Sequence, residues 1–419
     1  MRAPRVVVLF AAVIVAVASG GAAGASPVAG WTSHVSVAAS YGQPNTYSDQ
    51  PVVSADGRYV AFTSGASNLV PGDTNGSFDV FVRDTRMLTT SRVSVTAGGG
   101  QVDRMSYSQD ISADGRYVVF VSMGTNILPG DSNPVGNVYL RDRVTGTTVR
   151  ATPPASAAGR PAISGDGRYV AYATARPLLS GDTNQREDIY VWARETGALE
   201  RVSVSTTGGE ANHGSYSPSL SNDGRFVAFH SEASNLVPRP GYPAAVFVRD
   251  RVAGTTDRVS VASDGTPAND ESGGARISGD GRYVVFTSVA ANLVPVDIAH
   301  EDVFLRDRFA GTTELANLDS TGAPLPSGGY AGAVSGDGRY LAFGTQTGAV
   351  MSGVVRRDRL TGTTITVSLS TAGAAANGHS YWPSISADGQ AIAFLSAATN
   401  LVPRDTRGGS EIFLRRYWR

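Results

Sequence analysis

The sequence predicts an all-β fold, a single seven-bladed β-propeller of four-stranded antiparallel blades. Three observations carry this expectation. First, a Ser-x-Asp-Gly turn leads into a short strand ending on Phe or Tyr seven times, beginning at Ser54, Ser112, Ser164, Ser221, Ser278, Ser335 and Ser386. Arg follows the Gly in six copies and Gln390 in the seventh. Second, the steps between copies are 58, 52, 57, 57, 57 and 51 residues. A period of this size marks one supersecondary unit copied along the chain. Third, the last copy supplies three strands and then reaches Arg419, while His34-Val35-Ser36-Val37 precedes the first copy and matches the fourth strand of the others. The N-terminal segment is therefore expected to complete the last blade, closing the ring and leaving no open sheet edge.

The second copy shows the unit. Residues 106–112 form strand A, and Ala113-Asp114-Gly115-Arg116 is a hairpin turn. Asp-Gly suits such a turn because Gly accepts positive φ without steric cost. Strand B is 117–120, a connection spans 121–136, and strand C is 138–140. A second turn at 141–146 leads to strand D at 147–150. Enrichment in Val, Tyr, Phe and Thr fits half-buried strands. Strand C recurs as VFV at 80–82 and 246–248, IYV at 189–191, VFL at 303–305 and IFL at 412–414, and degrades to VVR at 354–356. Strand D recurs as RVSV at 92–95, 201–204 and 258–261.

The unit Ser54–Phe62 followed by Asp79-Val80-Phe81-Val82-Arg83-Asp84 resembles the TolB-type, WD40-like propeller repeat. The resemblance covers essentially all of the chain after residue 25. It implies the fold, and it leaves the role open because that repeat serves many functions. The pattern departs from TolB itself in three ways. No α/β domain precedes the repeats, the Pro common before Asp-Gly is missing, and the B–C connections are long. The cell-envelope role of TolB is not carried over, and no room remains for the hydrolase domain that some propeller peptidases append.

Composition sets further bounds. Of 419 residues, 17% are charged and 41% hydrophobic, which describes a foldable, weakly charged chain. The net charge of −1 gives no electrostatic reason to expect nucleic acid. All 35 basic residues are Arg. Residues 1–25 read as an export signal, with Arg2 and Arg5, an apolar run at 6–18 and an Ala23-Gly24-Ala25 cleavage site. That run is too short for a membrane helix. Without Cys there is neither a thiol-linked lipid nor a disulfide, so residues 26–419 are expected as one secreted, monomeric propeller with no membrane contact.

Two motif sets mark candidate sites. The A–B and C–D turns share one face and repeat closely. Arg58, Arg116, Arg168, Arg225, Arg282 and Arg339, with Asp84, Asp142, Asp250, Asp307 and Asp358, are read there as turn-fixing hydrogen bonds and inter-blade ion pairs. The B–C and D–A connections on the opposite face are longer and more variable, which favours binding there. In the B–C loops, Asp73, Asn75 and Asp79 of blade 1 correspond to Asp131 and Asn133 of blade 2 and to Asp182, Asn184 and Asp188 of blade 3. Oxygen ligands at this spacing suit Ca²⁺ as a cofactor. The pattern lacks the bidentate Glu of an EF-hand, and Asx-turns that satisfy the loop backbone account for the same residues.

The D–A connections carry Asn45, Asn212, Asn269 and Asn377, each followed three residues later by a Ser. His213, Tyr216, His379, Tyr381 and Trp382 lie beside them. Leading into the innermost strands, these residues are expected around the channel mouth, where amide, hydroxyl and aromatic groups suit a carbohydrate or peptide. Catalytic signals are sparse. The five His show no metal-ligand spacing, no Gly-x-Ser-x-Gly elbow occurs, and thiol chemistry is excluded. The expected function is a non-enzymatic extracellular binding protein for a glycan or a protein or peptide. The alternative is a secreted lyase or glycosidase acting on polysaccharide, since carboxylate pairs on loops suit that chemistry.

Overall fold

The computed structural model describes residues 30–38, 42–132, 134–238, 244–296, 300–346, 352–403, 405 and 408–418. The segment read as an export signal and Asn133 lie outside them. The strands form seven four-stranded antiparallel sheets, each in the order A-B-C-D. Blade 1 comprises Ser48–Val53, Tyr59–Ser64, Asp79–Asp84 and Thr89–Arg92. The later A strands are Ser106–Ile111, Gly159–Ile163, Ser215–Leu220, Ser272–Ile277, Tyr330–Val334 and Ser380–Ile385. Blade 7 ends on strand C at Glu411–Tyr417 and takes its outer strand from Gly30–His34, in antiparallel register from Gly30↔Tyr417 to His34↔Phe413. The expected closure is therefore present.

One boundary differs from expectation. Strand D ends at the Arg of each RVSV run rather than beginning there, as in Thr89–Arg92, Leu199–Arg201 and Thr255–Arg258. The run that follows is a buried crossing. Val93 N–H bonds to Val80 O at 2.8 Å, and Ser94 Oγ accepts Val80 N–H at 3.0 Å. The same position caps strand C in the other blades through Thr152, Ser203, Ser260, Asn317, Ser368 and Ser36. Alternating Val here marks residues plugged between blades, not ladder residues.

Each core layer lies between neighbouring blades. Blades 1 and 2, for example, share Ala61, Val80, Val82, Val118, Phe120 and Tyr139. Within blades, aromatic rings pair across strands B and C. Phe62 and Phe81 stack at 5.8 Å, and Phe286 and Phe304 at 5.7 Å. Such pairs contribute about 0.5–1.5 kcal/mol beyond burial. In blade 6 Phe343 faces Val355 instead.

The Asp-Gly turns carry the joints between blades. The first residue of strand B packs beneath the turn glycine of the next blade. A Cβ at Gly115 would lie 2.1 Å from the Tyr59 ring, and one at Gly224 would lie 2.3 Å from Tyr169. Tyr59 is held between Arg58 of its own blade at 4.7 Å and Arg143 of the next at 4.5 Å. Tyr117, Tyr169, Phe226 and Tyr283 sit in equivalent arginine sandwiches. The ion pairs, expected between blades, form within them: Arg58–Asp84 at 2.6 Å, Arg225–Asp250 at 2.7 Å and Arg282–Asp307 at 2.6 Å. The register places the start of strand B beside the end of strand C, so each carboxylate meets its own blade's arginine. The second arginine of Arg-Asp-Arg makes the inter-blade link by stacking, and Arg251 and Arg359 also pair with Glu200 and Glu314 of the preceding blade.

Two outcomes test this joint. Gly224→Ala adds a Cβ into the Tyr169 ring at φ +69°, and is expected to cost about 2 kcal/mol or more, read as a lower Tm by calorimetry. Hydrogen bonds from Arg225 and Arg282 pull Asp250 and Asp307 down to about 2. Their stabilisation is present above the ordinary carboxylate range and is lost as pH falls through about 2. Tm should drop between about pH 4 and pH 2, less steeply in Asp250→Asn than in the native protein.

Candidate functional site

The A strands touch their neighbours around the whole ring and so line the central channel. Each carries a bulge. The register of strand A against strand B shifts between Asp49 and Val52, and likewise in the other six blades. The bulged residues are Gln50, Ser108, Arg160, Ser217, Gly274, Ala331 and Trp382, with φ from 46° to 62°. Six of the seven are not glycine, and each such residue costs on the order of 1–3 kcal/mol in this region. Bulges re-aim side chains. Here Gln50, Arg160 and Trp382 are exposed on the innermost strand, Trp382 by 47%.

The channel carries opposed charges. Arg160 of blade 3 donates from Nη1 to Ser217 Oγ of blade 4 at 3.2 Å. Arg276 of blade 5 is electrostatically coupled to Asp110 of blade 2 and to Arg160. A ring of seven blades permits that only across the channel. Arg276 is open to water yet densely surrounded, as a side chain in a channel is. Asp110 accepts Ile163 N–H on Oδ2 and Ile111 N–H on Oδ1, both at 2.9 Å. Burial pushes its carboxyl up to about 6, against the pull of those bonds and of Arg276.

Of the channel-mouth residues expected from sequence, only Trp382 belongs to this ring. Asn45, Asn212, Asn269 and Asn377 clasp the B–C loop of their own blade. Asn45 N–H donates to Asn68 Oδ1 at 2.9 Å, and Asn45 Oδ1 accepts Ser67 N–H at 3.0 Å. The clasp repeats between Asn212 and Asn235, Asn269 and Asn292, and Asn377 and Asn400. Tyr216 is half-buried against His230, with ring centroids 5.3 Å apart. His379 stacks on Tyr381 at 5.7 Å, and its Nδ1 accepts Ser352 N–H at 3.1 Å. His213 is exposed in blade 4. The structure thus joins His379 to Tyr381 and leaves His213 and Tyr216 three blades away.

Sequence reading missed Gln50, Asp110, Arg160 and Arg276. The bulged residue always lies four positions before the turn serine, a spacing that could have flagged the column. No shared residue type marks it.

The acidic B–C loops hold arginines. In blade 1, Arg92 Nη1 lies 3.4 Å from Asp73 and 3.6 Å from Asp79. Asn75 turns its amide nitrogen toward Asp79 Oδ2 at 3.2 Å. In blade 2, Asp131 meets Arg150, accepts the Tyr139 hydroxyl at 3.0 Å and accepts Leu128 N–H at 2.9 Å. In blade 3, Asp182, Asp188 and Glu210 bring carboxylate oxygens within 4.8 Å of one another. Arg201 Nη1 sits 3.7, 3.3 and 2.9 Å from them. Asn184 donates to Ala211 O at 2.7 Å. Burial raises Asp79 and Asp188 to about 6, while Ser94 and Arg92, and Ser203 and Arg201, pull them down. The repeat supplies the arginine, because it is the last residue of strand D.

No protein family and no curated protein matches this chain. Solved structures do. Oligogalacturonate lyase from Vibrio parahaemolyticus aligns at TM-score 0.56 and 12% identity, over 89% of this chain and 90% of that one. An oligogalacturonate lyase in complex with manganese aligns at 0.56 and 13%, over 94% and 97%. The β-propeller domain of the trilobed protease from Pyrococcus furiosus aligns at 0.54 and 11%, over 88% and 94%. At such identities the likeness is one of fold.

The carboxylate trio of blade 3 is the cluster with metal-ligand spacing among the described residues, and its centre holds the Arg201 guanidinium. Arg201→Met should cost about 3–5 kcal/mol by leaving buried carboxylates unpaired. Millimolar Ca²⁺ should recover part of the lost Tm in the variant and leave the native protein unchanged.

Proposed function

We propose that the chain is a secreted, monomeric binding protein that takes an acidic glycan into its central channel. The observation that carries this reading is the pair of guanidinium groups, Arg160 and Arg276, brought into the channel from blades 3 and 5, with the Asp110 carboxylate acting on Arg276 from blade 2. Planar guanidinium forks suit carboxylates, and they act strongly where water is partly excluded. The exposed Trp382 indole offers a face on which a sugar ring stacks. Strained bulges around the ring fit a pre-set binding surface. The neighbours named oligogalacturonate lyase support the ligand class, since their printed substrate is an acidic glycan. Calcium has no part in this reading.

Asp110 favours a second reading as a lyase. A carboxyl held near neutrality beside an arginine is the pairing expected of a proton-transfer group next to a charge-neutralising one.

Titration calorimetry with oligogalacturonate separates these readings. The native protein should bind, and Arg276→Ala should weaken binding about tenfold or more, roughly 1.4 kcal/mol. Binding confined to neutral glycans would refute the proposal. Protonation of Asp110 through about pH 6 removes one negative charge from the channel. Affinity should therefore rise by roughly fivefold, about 1 kcal/mol, from pH 7.5 to pH 5, and Asp110→Asn should flatten that profile. The lyase reading requires new ultraviolet absorbance from an unsaturated product, lost in Asp110→Asn.

A further inference from the structure

The repeat breaks once, where the ring closes. Six strands B begin with an aromatic ring after Arg, whereas blade 7 reads Gln390-Ala391. Its strand C ends Arg415-Arg416-Tyr417 and Trp418 follows, where blades 2, 4, 5 and 6 read Arg-Asp-Arg. Ala391 thus lies under Gly57 where other seams hold a ring. Gln390 has no aspartate across from it. Arg416 instead crosses to blade 1, donating to Gly57 O at 2.5 Å and Thr85 Oγ1 at 2.7 Å. From blade 6, Arg356 moves in over the Tyr417 ring at 3.9 Å.

The missing ring and missing ion pair leave space. A cavity of about 510 Å³ opens between blades 6 and 7, with Asp337, Tyr340, Gln390 and Trp418 in its wall. A second of about 260 Å³ lies toward blade 1, with Trp31, Asp56 and Arg416. Both are lined by Asp388, Gln390 and Trp418, so the two adjoin at these residues. The Trp418 indole is 64% exposed. The walls carry four aspartates and four arginines in all, a balance of charge. Arg339 and Asp358 within it pair at 2.7 Å.

We propose that these adjoining cavities form a second binding site, for a neutral oligosaccharide, on the turn face opposite the channel mouth. An exposed indole presents an apolar face to the C–H side of a sugar ring, and the surrounding carboxylates and the Gln390 amide meet its hydroxyls. Balanced charge gives an ionic ligand no advantage over a neutral one. The combined volume falls in the roughly 300–1,000 Å³ range of small-ligand sites. The site does not depend on the channel reading, because no residue is common to the two.

The test is titration of the full mature chain with cellohexaose, xylohexaose, maltohexaose and chitohexaose, read by calorimetry and by tryptophan fluorescence. At least one should bind with a change in indole emission. Trp418→Ala should weaken that binding tenfold or more, Trp418→Phe should retain part of it, and both should keep the native Tm because the side chain is exposed. Arg276→Ala should leave it unchanged. Failure of all four to bind at millimolar concentration, or native affinity in Trp418→Ala, overturns the proposal. Loss of binding in Arg276→Ala with Trp418→Ala intact would do the same, by moving the sugar to the channel.

Discussion

Five of the seven seams are held in register by one repeated contact, an aromatic side chain clamped between two guanidinium groups beneath the turn glycine of the next blade. Each part requires the others. The glycine must lack a Cβ because the ring of Tyr59 or Tyr169 occupies that space. In four of these seams the first arginine is aimed by a bidentate aspartate of strand C, while Arg168 pairs with Asp166 of its own turn. The second arginine is tied to the turn carbonyl, as Arg251 is to Gly224 O at 2.8 Å. Each stacking contact is worth only about 0.5–1 kcal/mol where exposed. Its weight lies in fixing the angle at which one blade meets the next, and thus the width of the channel. Further up the turn, backbone bonds hand the ring on from blade to blade, from Ala55 to Ala113 at 3.0 Å and from Ala113 to Gly165 at 2.9 Å.

This arrangement also gives the all-arginine composition a physical role. A lysine carries a compact, strongly hydrated charge and cannot lie flat on a ring while donating sideways to a carboxylate. At the seams the guanidinium does both. In the B–C loops the same group neutralises two or three carboxylates at once, as Arg201 does. One residue type thus serves as joint, as counter-ion and, in the channel, as candidate ligand-binding group.

The fold was legible because its determinants are local and repeated. Asp-Gly turns, strand composition and the unmatched strands at the two ends are all read within short windows. Strand D was shifted because alternating Val also describes a buried crossing, and Val93 and Val95 look the same in either role. The acidic loops suggested a cation site because Asp73 and Asp79 are close in sequence, whereas the arginine between them arrives from Arg92, on another strand. The candidate channel site was the least legible part. It depends on a backbone conformation that residues as different as Gln50, Arg160 and Trp382 share, and on Arg276 and Asp110 acting on each other from blades three apart. Neither relation leaves a pattern along the chain.

The pairing of Gly30–His34 with Glu411–Tyr417 bears on how the molecule is made. The partner strands lie at opposite ends of the described chain, so this contact has the greatest sequence separation the fold contains. Loop-closure entropy must be overcome before it forms, in a fold already dominated by non-local pairing. Until then the outer edge of blade 7 and the seam to blade 1 stay open, with Phe413 and Leu414 uncovered. A chain that emerges N-terminus first must keep its first strand unpaired until its last has arrived, so six blades can assemble progressively and the seventh only in a single final step.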